Sequence, residues 1–307
     1  MRDKNAKIGG AFMLQKIISF FMSIIMAIAS LFGLGHKLDK NFKENLKYGS
    51  GERQVVDIAF PENPKSEDGL ILFIHGGAWI EGDKSIYRDT IRYAASIGYV
   101  AASMSYTYIS EKSSINTIVN DIDLCLKAVK AEAKSRGFDL SKVILTGSSA
   151  GAHLSLLYAY SRRDTAPIKP VAVASNCGPT DLATYDENFI MHNAMGNHEF
   201  MLKLASYCCG KEVTLENYNE PDIQFALKTI SPLYYVASGA VPTIIAHGKK
   251  DTLVPYAQAQ RLDAALTQAG VTHQFITFPN SGHDLADDKA ESDLATQYLL
   301  QYIETYL

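Results

Sequence analysis

The sequence predicts an α/β fold with a mostly parallel central sheet and helices on both of its faces. Short apolar runs rich in β-branched residues alternate with segments of helical periodicity along most of the chain. Apolar runs of this kind are typical of strands buried on both faces, as in parallel sheets that are covered by their connecting helices. Hydrophobic residues form 47% and charged residues 20% of the 307 residues, which excludes a disordered chain and allows one or two packed domains.

The predicted elements follow one another in a regular order. Strands are predicted at residues 55–60, 70–75, 98–105, 142–146, 170–175, 241–246 and 274–278. Helices are predicted at residues 85–96, 114–136, 150–160, 256–269 and 287–307. Gly137 and Gly270 end two of them, as glycine often does after a last helical turn.

Residues 178–235 interrupt this alternation without a clear strand. A long insertion within a compact fold is usually functional. We therefore predict one domain over residues 48–307, in which the insertion forms a small, mostly helical cap over the carboxyl ends of the strands. The alternative is an insertion that only covers an exposed flank.

The charge balance and the cysteine count exclude some classes of protein. Lysine and arginine total 29 against 33 aspartates and glutamates, so the formal net charge is −4 and we expect no nucleic-acid partner. Four cysteines are too few for a disulfide scaffold, although a bridge from Cys177 to Cys208 or Cys209 stays open. The cysteines therefore do not decide the redox compartment.

The amino-terminal segment, residues 1–40, differs from the rest of the chain. Residues 17–35 carry no charge and follow a segment with four basic residues. Bilayer spans need about 20 apolar residues, whereas the apolar part of a signal peptide has about 7–15. We predict a membrane anchor with the folded domain outside the cytoplasm, since basic flanks stay inside. A cleaved signal peptide, and a docked or interfacial helix on a cytoplasmic protein, are the alternatives.

A serine motif lies between the predicted strand at 142–146 and the predicted helix at 150–160. The segment Gly147-Ser148-Ser149-Ala150-Gly151 matches G-x-S-x-G, with Ser149 at its centre. Between a strand and a helix, this motif predicts a nucleophile elbow, a sharp turn that exposes the serine oxygen. The following helix N-terminus adds favourable partial positive charge. Ser149 is the predicted nucleophile.

A nucleophilic serine needs a base, and the base needs an orienting acid. His283 lies in the loop between the last strand and the last helix, where it can reach over the sheet towards Ser149. Asp251 follows the strand at 241–246 at the same end of the sheet, and the order serine, aspartate, histidine is typical of this elbow. Asp181 is the rival acid, with a turn or cap role as its alternative.

A glycine-rich loop, His75-Gly76-Gly77-Ala78-Trp79, follows the predicted strand at 70–75. Glycines let the backbone approach a substrate closely, and an oxyanion needs N–H donors. We predict the N–H groups of Gly77 and Ala150 as these donors, with Gly76 as a neighbour that can share the role. Trp79 is predicted to line the substrate pocket, with a core position as the alternative.

These motifs, together with His247-Gly248-Lys249-Lys250-Asp251, resemble the α/β-hydrolase superfamily. They look most like its esterase branch with the His-Gly-Gly oxyanion motif, which includes feruloyl-esterase-like and carboxylesterase-like lipases. The resemblance covers residues 48–307. It implies an α/β-hydrolase fold and a serine carboxylic-ester hydrolase that acts on short acyl esters, with a small-molecule ester as partner and neither cofactor nor metal. An amidase or formamidase with the same triad, and a membrane-tethered binding protein on a hydrolase scaffold, are the alternatives.

Overall fold

The computed structural model describes residues 41–184 and 198–307. Its centre is an eight-stranded sheet in the order β1-β2-β4-β3-β5-β6-β7-β8. The strands are β1 (Phe42–Lys47), β2 (Val55–Ala59), β3 (Gly69–Ile74), β4 (Val100–Met104), β5 (Lys142–Ser148), β6 (Lys169–Asn176), β7 (Thr243–Gly248) and β8 (His273–Phe278). Only β2 pairs antiparallel, with β1 and with β4, and every other pair of the described strands is parallel. This mostly parallel sheet confirms the predicted fold class.

The edge strand β1 was not predicted from the sequence. Its side chains are exposed or half-buried, so no apolar run indicates a strand there. The pairing with β2 shifts register between Lys43 and Leu46, where Asn45 has a φ of 54° and donates its N–H to Asp57 Oδ1 at 2.8 Å. The buried Asp57 therefore anchors a strand that hydropathy misses, and the sheet begins before the boundary predicted at Tyr48.

Helices cover both faces of the sheet. They are α1 (Arg88–Ser96), α2 (Ile115–Ser135), α3 (Ala150–Ser161), α4 (His198–Cys209), α5 (Pro221–Thr229), α6 (Val236–Gly239), α7 (Tyr256–Gln268) and α8 (Lys289–Tyr306). Side chains alternate along β3, so Leu70, Leu72 and Ile74 join the core under α2, α3 and α7, while Ile71 and Phe73 join the core under α1 and α8. Burial on both faces is the reason that the parallel strands are continuously apolar.

Helices joined by turns form the described part of the predicted insertion, residues 178–235. It contains α4, α5 and the 3₁₀ helix Pro232–Tyr235. α4 contacts α2, and the 3₁₀ helix contacts α3. Leu204 and Cys208 of α4 and Leu227 of α5 are buried in the core that α2 and α3 share. Residues 185–197 lie outside the described residues, and a cap over the strand ends stays a prediction.

The predicted anchor, residues 1–40, also lies outside the described residues. Across residues 41–184 and 198–307, no helix combines the length and the apolar character needed to cross a membrane. All four cysteines are free thiols, so the bridge left open between Cys177 and Cys208 or Cys209 is not formed.

Candidate active site

Three strands bring the predicted nucleophile, acid and base to one edge of the sheet. Ser149 follows β5, Asp251 follows β7 and His283 follows β8. The strands from β5 to β8 pair in parallel, so their carboxyl ends lie at the same edge. Open α/β sheets bind ligands at this edge, in the crevice outside the strand ends.

Ser149 occupies a strained turn between β5 and α3. Its φ of 54° and ψ of −121° lie where L-residues are rarely found, and its N–H donates to the Asn176 carbonyl oxygen at 2.8 Å. A Cβ on Gly147 would lie 2.3 Å from the Ile74 carbonyl oxygen, and a Cβ on Gly151 would lie 2.0 Å from it. Neither position therefore accepts a side chain, which is the physical reason for the two glycines of the motif.

Asp251 and His283 form a buried hydrogen-bonded pair. His283 Nδ1 donates to Asp251 Oδ2 at 2.7 Å, and Asp251 Oδ1 accepts the N–H groups of Leu253 and Val254, both at 2.8 Å. Burial by itself raises the pKa of Asp251, but the charge of His283 and hydrogen bonds from His247 and His283 outweigh it and hold that pKa well below its usual range. The ionised carboxylate keeps the proton of His283 on Nδ1, which leaves Nε2 as an acceptor.

His283 is hydrogen-bonded to Asp251 but not to the serine. Within the described residues, no hydrogen bond joins the Ser149 hydroxyl to His283. Catalytic hydrogen bonds are often long in unliganded structures and tighten when substrate binds. The edge thus holds a preformed acid–base pair and a separate serine turn.

The loop after β3 passes close to the serine turn. A Cβ on Gly76 would lie 3.4 Å from the Ser149 Cβ. The next three residues, Gly77 to Trp79, have positive φ values of 112°, 48° and 61°. In the part of the chain that the structure describes, the N–H groups of Gly77 and Ala150 donate no hydrogen bond. Both N–H groups are therefore unpaired in this part of the chain, and the oxyanion role stays a prediction.

A stacked pair holds the start of this loop. The rings of His75 and Tyr106 lie 4.2 Å apart, and the Tyr106 hydroxyl donates to the His75 carbonyl oxygen at 3.0 Å. His75 Nδ1 donates to the Gly76 carbonyl oxygen at 2.7 Å, and Arg53 Nη2 lies 3.4 Å from His75 Nε2. Burial above all, and also the charge of Arg53, lowers the pKa of His75 to about 4, so the ring is neutral. His75 is therefore a neutral ring that fixes the start of the loop, and sequence patterns did not indicate its partners Arg53 and Tyr106.

The structure corrects the expectation that Trp79 lines the substrate pocket. Its side chain is only 3% exposed and packs in the core on the α2 and α3 face. The indole N–H donates to His153 Nδ1 at 3.2 Å, and His153 Nε2 donates to the Ile230 carbonyl oxygen at 2.7 Å. Because the core satisfies both its apolar area and its single donor, Trp79 is a structural residue.

Asp181 is a turn residue. Its Oδ1 accepts the N–H groups of Ala183 and Thr184 at 3.1 and 3.2 Å, and its Oδ2 lies 3.5 Å from Arg261 Nε. The histidine base pairs with Asp251 instead. The turn role that was the alternative for Asp181 accounts for its contacts.

Two buried residues beside Asp251 were missed by sequence reasoning. His247 Nε2 lies 3.3 Å from Asp251 Oδ2, and one ligand-type atom each of Cys177, His247 and Asp251 lies within 4.8 Å of the others. These atom types suit zinc, but His247 Nε2 donates its proton to the Val254 carbonyl oxygen at 2.8 Å, and burial raises the pKa of the Cys177 thiol. The place of His247, four residues before Asp251, could have indicated that it lies beside the acid. No sequence pattern indicates this for Cys177.

The sheet topology and the strained serine turn define an α/β hydrolase, which confirms the predicted resemblance. A family model described as BD-FAE matches residues 56–266, and the chain belongs to this family of α/β-hydrolase esterases. Among curated proteins, the chain is similar to Esterase LipQ of Mycobacterium tuberculosis, with 29% identity over 249 residues that cover 79% of this chain and 57% of LipQ. The chain thus spans just over half the length of that relative.

Solved structures support the fold. Inhibited esterase B from Lactobacillus rhamnosis matches with a TM-score of 0.67 and 20% identity, covering 95% of this chain and 96% of that one. A truncated carbohydrate esterase from gut microbiota matches with a TM-score of 0.67 and 22% identity, covering 87% of this chain and 99% of that one. At such identities the likeness establishes the α/β-hydrolase fold alone.

Proposed function

We propose that the protein is a serine carboxylic-ester hydrolase that acts on short acyl esters. The observation that carries this proposal is the 2.7 Å hydrogen bond between His283 and Asp251, at the same sheet edge as the strained Ser149 turn. Such a pair supplies a base of fixed tautomer, and the turn supplies a hydroxyl for it to activate. Membership of an esterase family and the similarity to Esterase LipQ support the proposal.

The proposed reaction has two halves. Ser149 Oγ attacks the ester carbonyl carbon while His283 Nε2 takes the hydroxyl proton, and the N–H groups of Gly77 and Ala150 bind the resulting oxyanion. The bond to the alcohol oxygen then breaks, His283 returns the proton to the departing alcohol, and the acyl group stays on Ser149. Water, deprotonated by His283, attacks the acyl-enzyme, which releases the carboxylic acid and restores the serine.

Labelling with a fluorophosphonate probe tests this assignment, because the probe reacts only with an activated serine. We expect one label on Ser149 in the wild type, no label in Ser149→Ala, and hydrolysis of p-nitrophenyl acetate to fall to the residual ~10³–10⁴-fold acceleration over water that triad-deleted enzymes keep. Ser148→Ala is the matched control, since Ser148 is the neighbouring buried serine of the same turn and should leave labelling intact. Near-native turnover by Ser149→Ala contradicts the proposal, and a parallel panel with N-formylkynurenine distinguishes an ester from an amide preference.

We also propose that residues 1–40 attach the protein to a membrane, with the catalytic domain outside the cytoplasm. The basis is sequence alone: an uncharged run at residues 17–35 behind a basic segment. Removing residues 1–35 should move the protein to the soluble fraction with its esterase activity intact, since every proposed catalytic residue follows His75. Ile25→Lys in the full chain is the matched variant, because a central lysine costs about 2.5–3.5 kcal/mol on insertion. A full-length chain that is soluble without detergent, and loses stability on truncation, refutes the anchor.

A further inference from the structure

We propose that His247 is a positioning residue for the reaction, which fixes the Asp251 carboxylate against the base His283. This inference rests on the proposed function, and it gives a role to a second buried histidine that takes no part in proton transfer to substrate. His247 lies near the end of β7 and is 1% exposed, so it cannot contact a substrate.

The tautomer of His247 follows from its contacts. Nε2 lies 2.8 Å from the Val254 carbonyl oxygen, which can only accept, so this nitrogen carries the proton. The same nitrogen lies 3.3 Å from Asp251 Oδ2, the oxygen that also accepts the His283 Nδ1–H at 2.7 Å. The single N–H of His247 therefore binds the Val254 carbonyl, while the nitrogen that carries it lies against the carboxylate of Asp251.

The contact with Val254 extends this hold to the other carboxylate oxygen. Asp251 Oδ1 accepts the N–H groups of Leu253 and Val254, both at 2.8 Å. Because His247 binds the carbonyl of Val254 while the N–H of Val254 binds Asp251, the histidine holds the turn at residues 251–254 from the strand side. It thus restrains Oδ1 through the turn and Oδ2 directly.

Two other side chains, Cys177 and Tyr256, lie beside His247. The Cys177 thiol lies on the same side, and burial above all, with the nearby charge of Asp251, raises its pKa and keeps it neutral. The ring of Tyr256 meets the His247 ring edge-on, with centroids 6.1 Å apart, and packs it in place. Without His247, the Asp251 carboxylate keeps its hydrogen bonds from His283 and from the backbone of Leu253 and Val254. It loses the side chain that holds the turn at residues 251–254 in place.

The test compares two buried histidines that make the same kind of hydrogen bond. His247 donates Nε2–H to the Val254 carbonyl, and His153 donates Nε2–H to the Ile230 carbonyl at 2.7 Å, but only His247 touches Asp251. The variants are His247→Leu, His247→Gln and His153→Leu. Glutamine can place an amide N–H where Nε2 stands, so His247→Gln is the conservative variant.

We expect His247→Leu to lower kcat for p-nitrophenyl acetate by about 10- to 100-fold with little change in KM, because misplacing a catalytic group by about 1 Å costs up to about 10² in rate. His247→Gln should recover most of that loss. In proton NMR, the downfield resonance of the Asp251–His283 hydrogen bond should shift in His247→Leu and remain unchanged in His153→Leu, although both variants lose thermal stability.

An unchanged kcat and an unchanged resonance in folded His247→Leu overturn the inference. So does a loss of kcat that only follows the unfolded fraction and that His247→Gln does not restore. Failure of the proposed function has a different signature, since the wild type would then take no fluorophosphonate label at Ser149. The NMR comparison still reports in that case whether His247 positions Asp251.

Discussion

The two halves of the candidate active-site edge are built in different ways. Around β3 and β5, backbone geometry dominates: Ser149 and the residues from Gly77 to Trp79 have positive φ, and Gly147 and Gly151 have no room for a side chain. Around β7 and β8, side-chain hydrogen bonds dominate, with Asp251 accepting from His283 and from two backbone N–H groups.

The difference matches the work that each half would do in the proposed reaction. Oxyanion donors must stay still while charge develops, and a backbone locked by close contacts achieves that. A base must take up and return a proton and its acid must carry a charge, which only titratable side chains can do. The first half should therefore be sensitive to added volume, and the second half to a change of charge at constant volume.

The largest expected effect tests the charge dependence of the second half. Asp251→Asn keeps the size of the side chain but favours the wrong tautomer of His283 and cannot stabilise its charged form, so kcat should fall by about 10⁴. Asp181→Asn is the matched control, since Asp181 is a buried aspartate that binds backbone N–H groups and contacts Arg261. Initial rates with p-nitrophenyl acetate, with circular dichroism to confirm folding, measure both, and a larger loss in Asp181→Asn would assign the acid to the turn after β6.

The next effect tests the volume dependence of the first half. A Cβ on Gly77 would lie 2.2 Å from the Glu81 carbonyl oxygen, at a φ of 112°, so Gly77→Ala must move the loop and its N–H donor. Losing one such donor costs about 10²–10³ in kcat. Gly137→Ala is the control, because Gly137 has a φ of 91° with nothing within 4 Å of the added Cβ. It should lose stability through strain alone, and equal kcat values for the two variants would disprove the oxyanion role of Gly77.

The smallest expected effect is a difference between the two halves in how the free energy of unfolding depends on pH. Burial above all lowers the pKa values of His75 and His153 to about 4, and both residues support the first half. Their unfolded-state pKa is near 6.5, so their full contribution to stability is present above about pH 6.5 and is lost as pH falls towards about 4. A shift of this size corresponds to about 3 kcal/mol for each histidine at most. Asp251 has a lowered pKa and keeps its charge over this range.

Urea unfolding between pH 7 and pH 4.5 measures that loss. His153→Gln removes one titrating group while an amide N–H remains for the Ile230 carbonyl, so the free energy of unfolding of this variant should depend less steeply on pH than that of the wild type. Parallel pH dependences for the two proteins would mean that His153 does not titrate with a lowered pKa.

The parallel strands and the serine turn could be predicted because their causes are local. Continuous apolar runs mark strands buried on both faces, and the two glycines around Ser149 reflect crowding within a few residues of the turn. Edge strand β1 was missed because it has no such local signal. Its exposed and half-buried side chains form no apolar run, and Asp57, which anchors it, belongs to the next strand. A hydropathy pattern indicates only strands whose side chains are buried, and none of the side chains of β1 is fully buried.

The sequence by itself predicted seven of the eight strands, the serine turn and the candidate positions of the acid and the base, because apolar runs and motif spacing are local features of the chain. Only the tertiary structure decided how these residues are held. The side chain of Trp79 lies in the core, where it binds His153, a residue 74 positions away that no local pattern connects with it. His283 pairs with Asp251 and not with Asp181 because β7, and not β6, is the neighbour of β8. Contacts between residues distant in the chain depend on how the sheet is assembled, so the partner of a buried polar group such as the Trp79 N–H is not evident from any one motif.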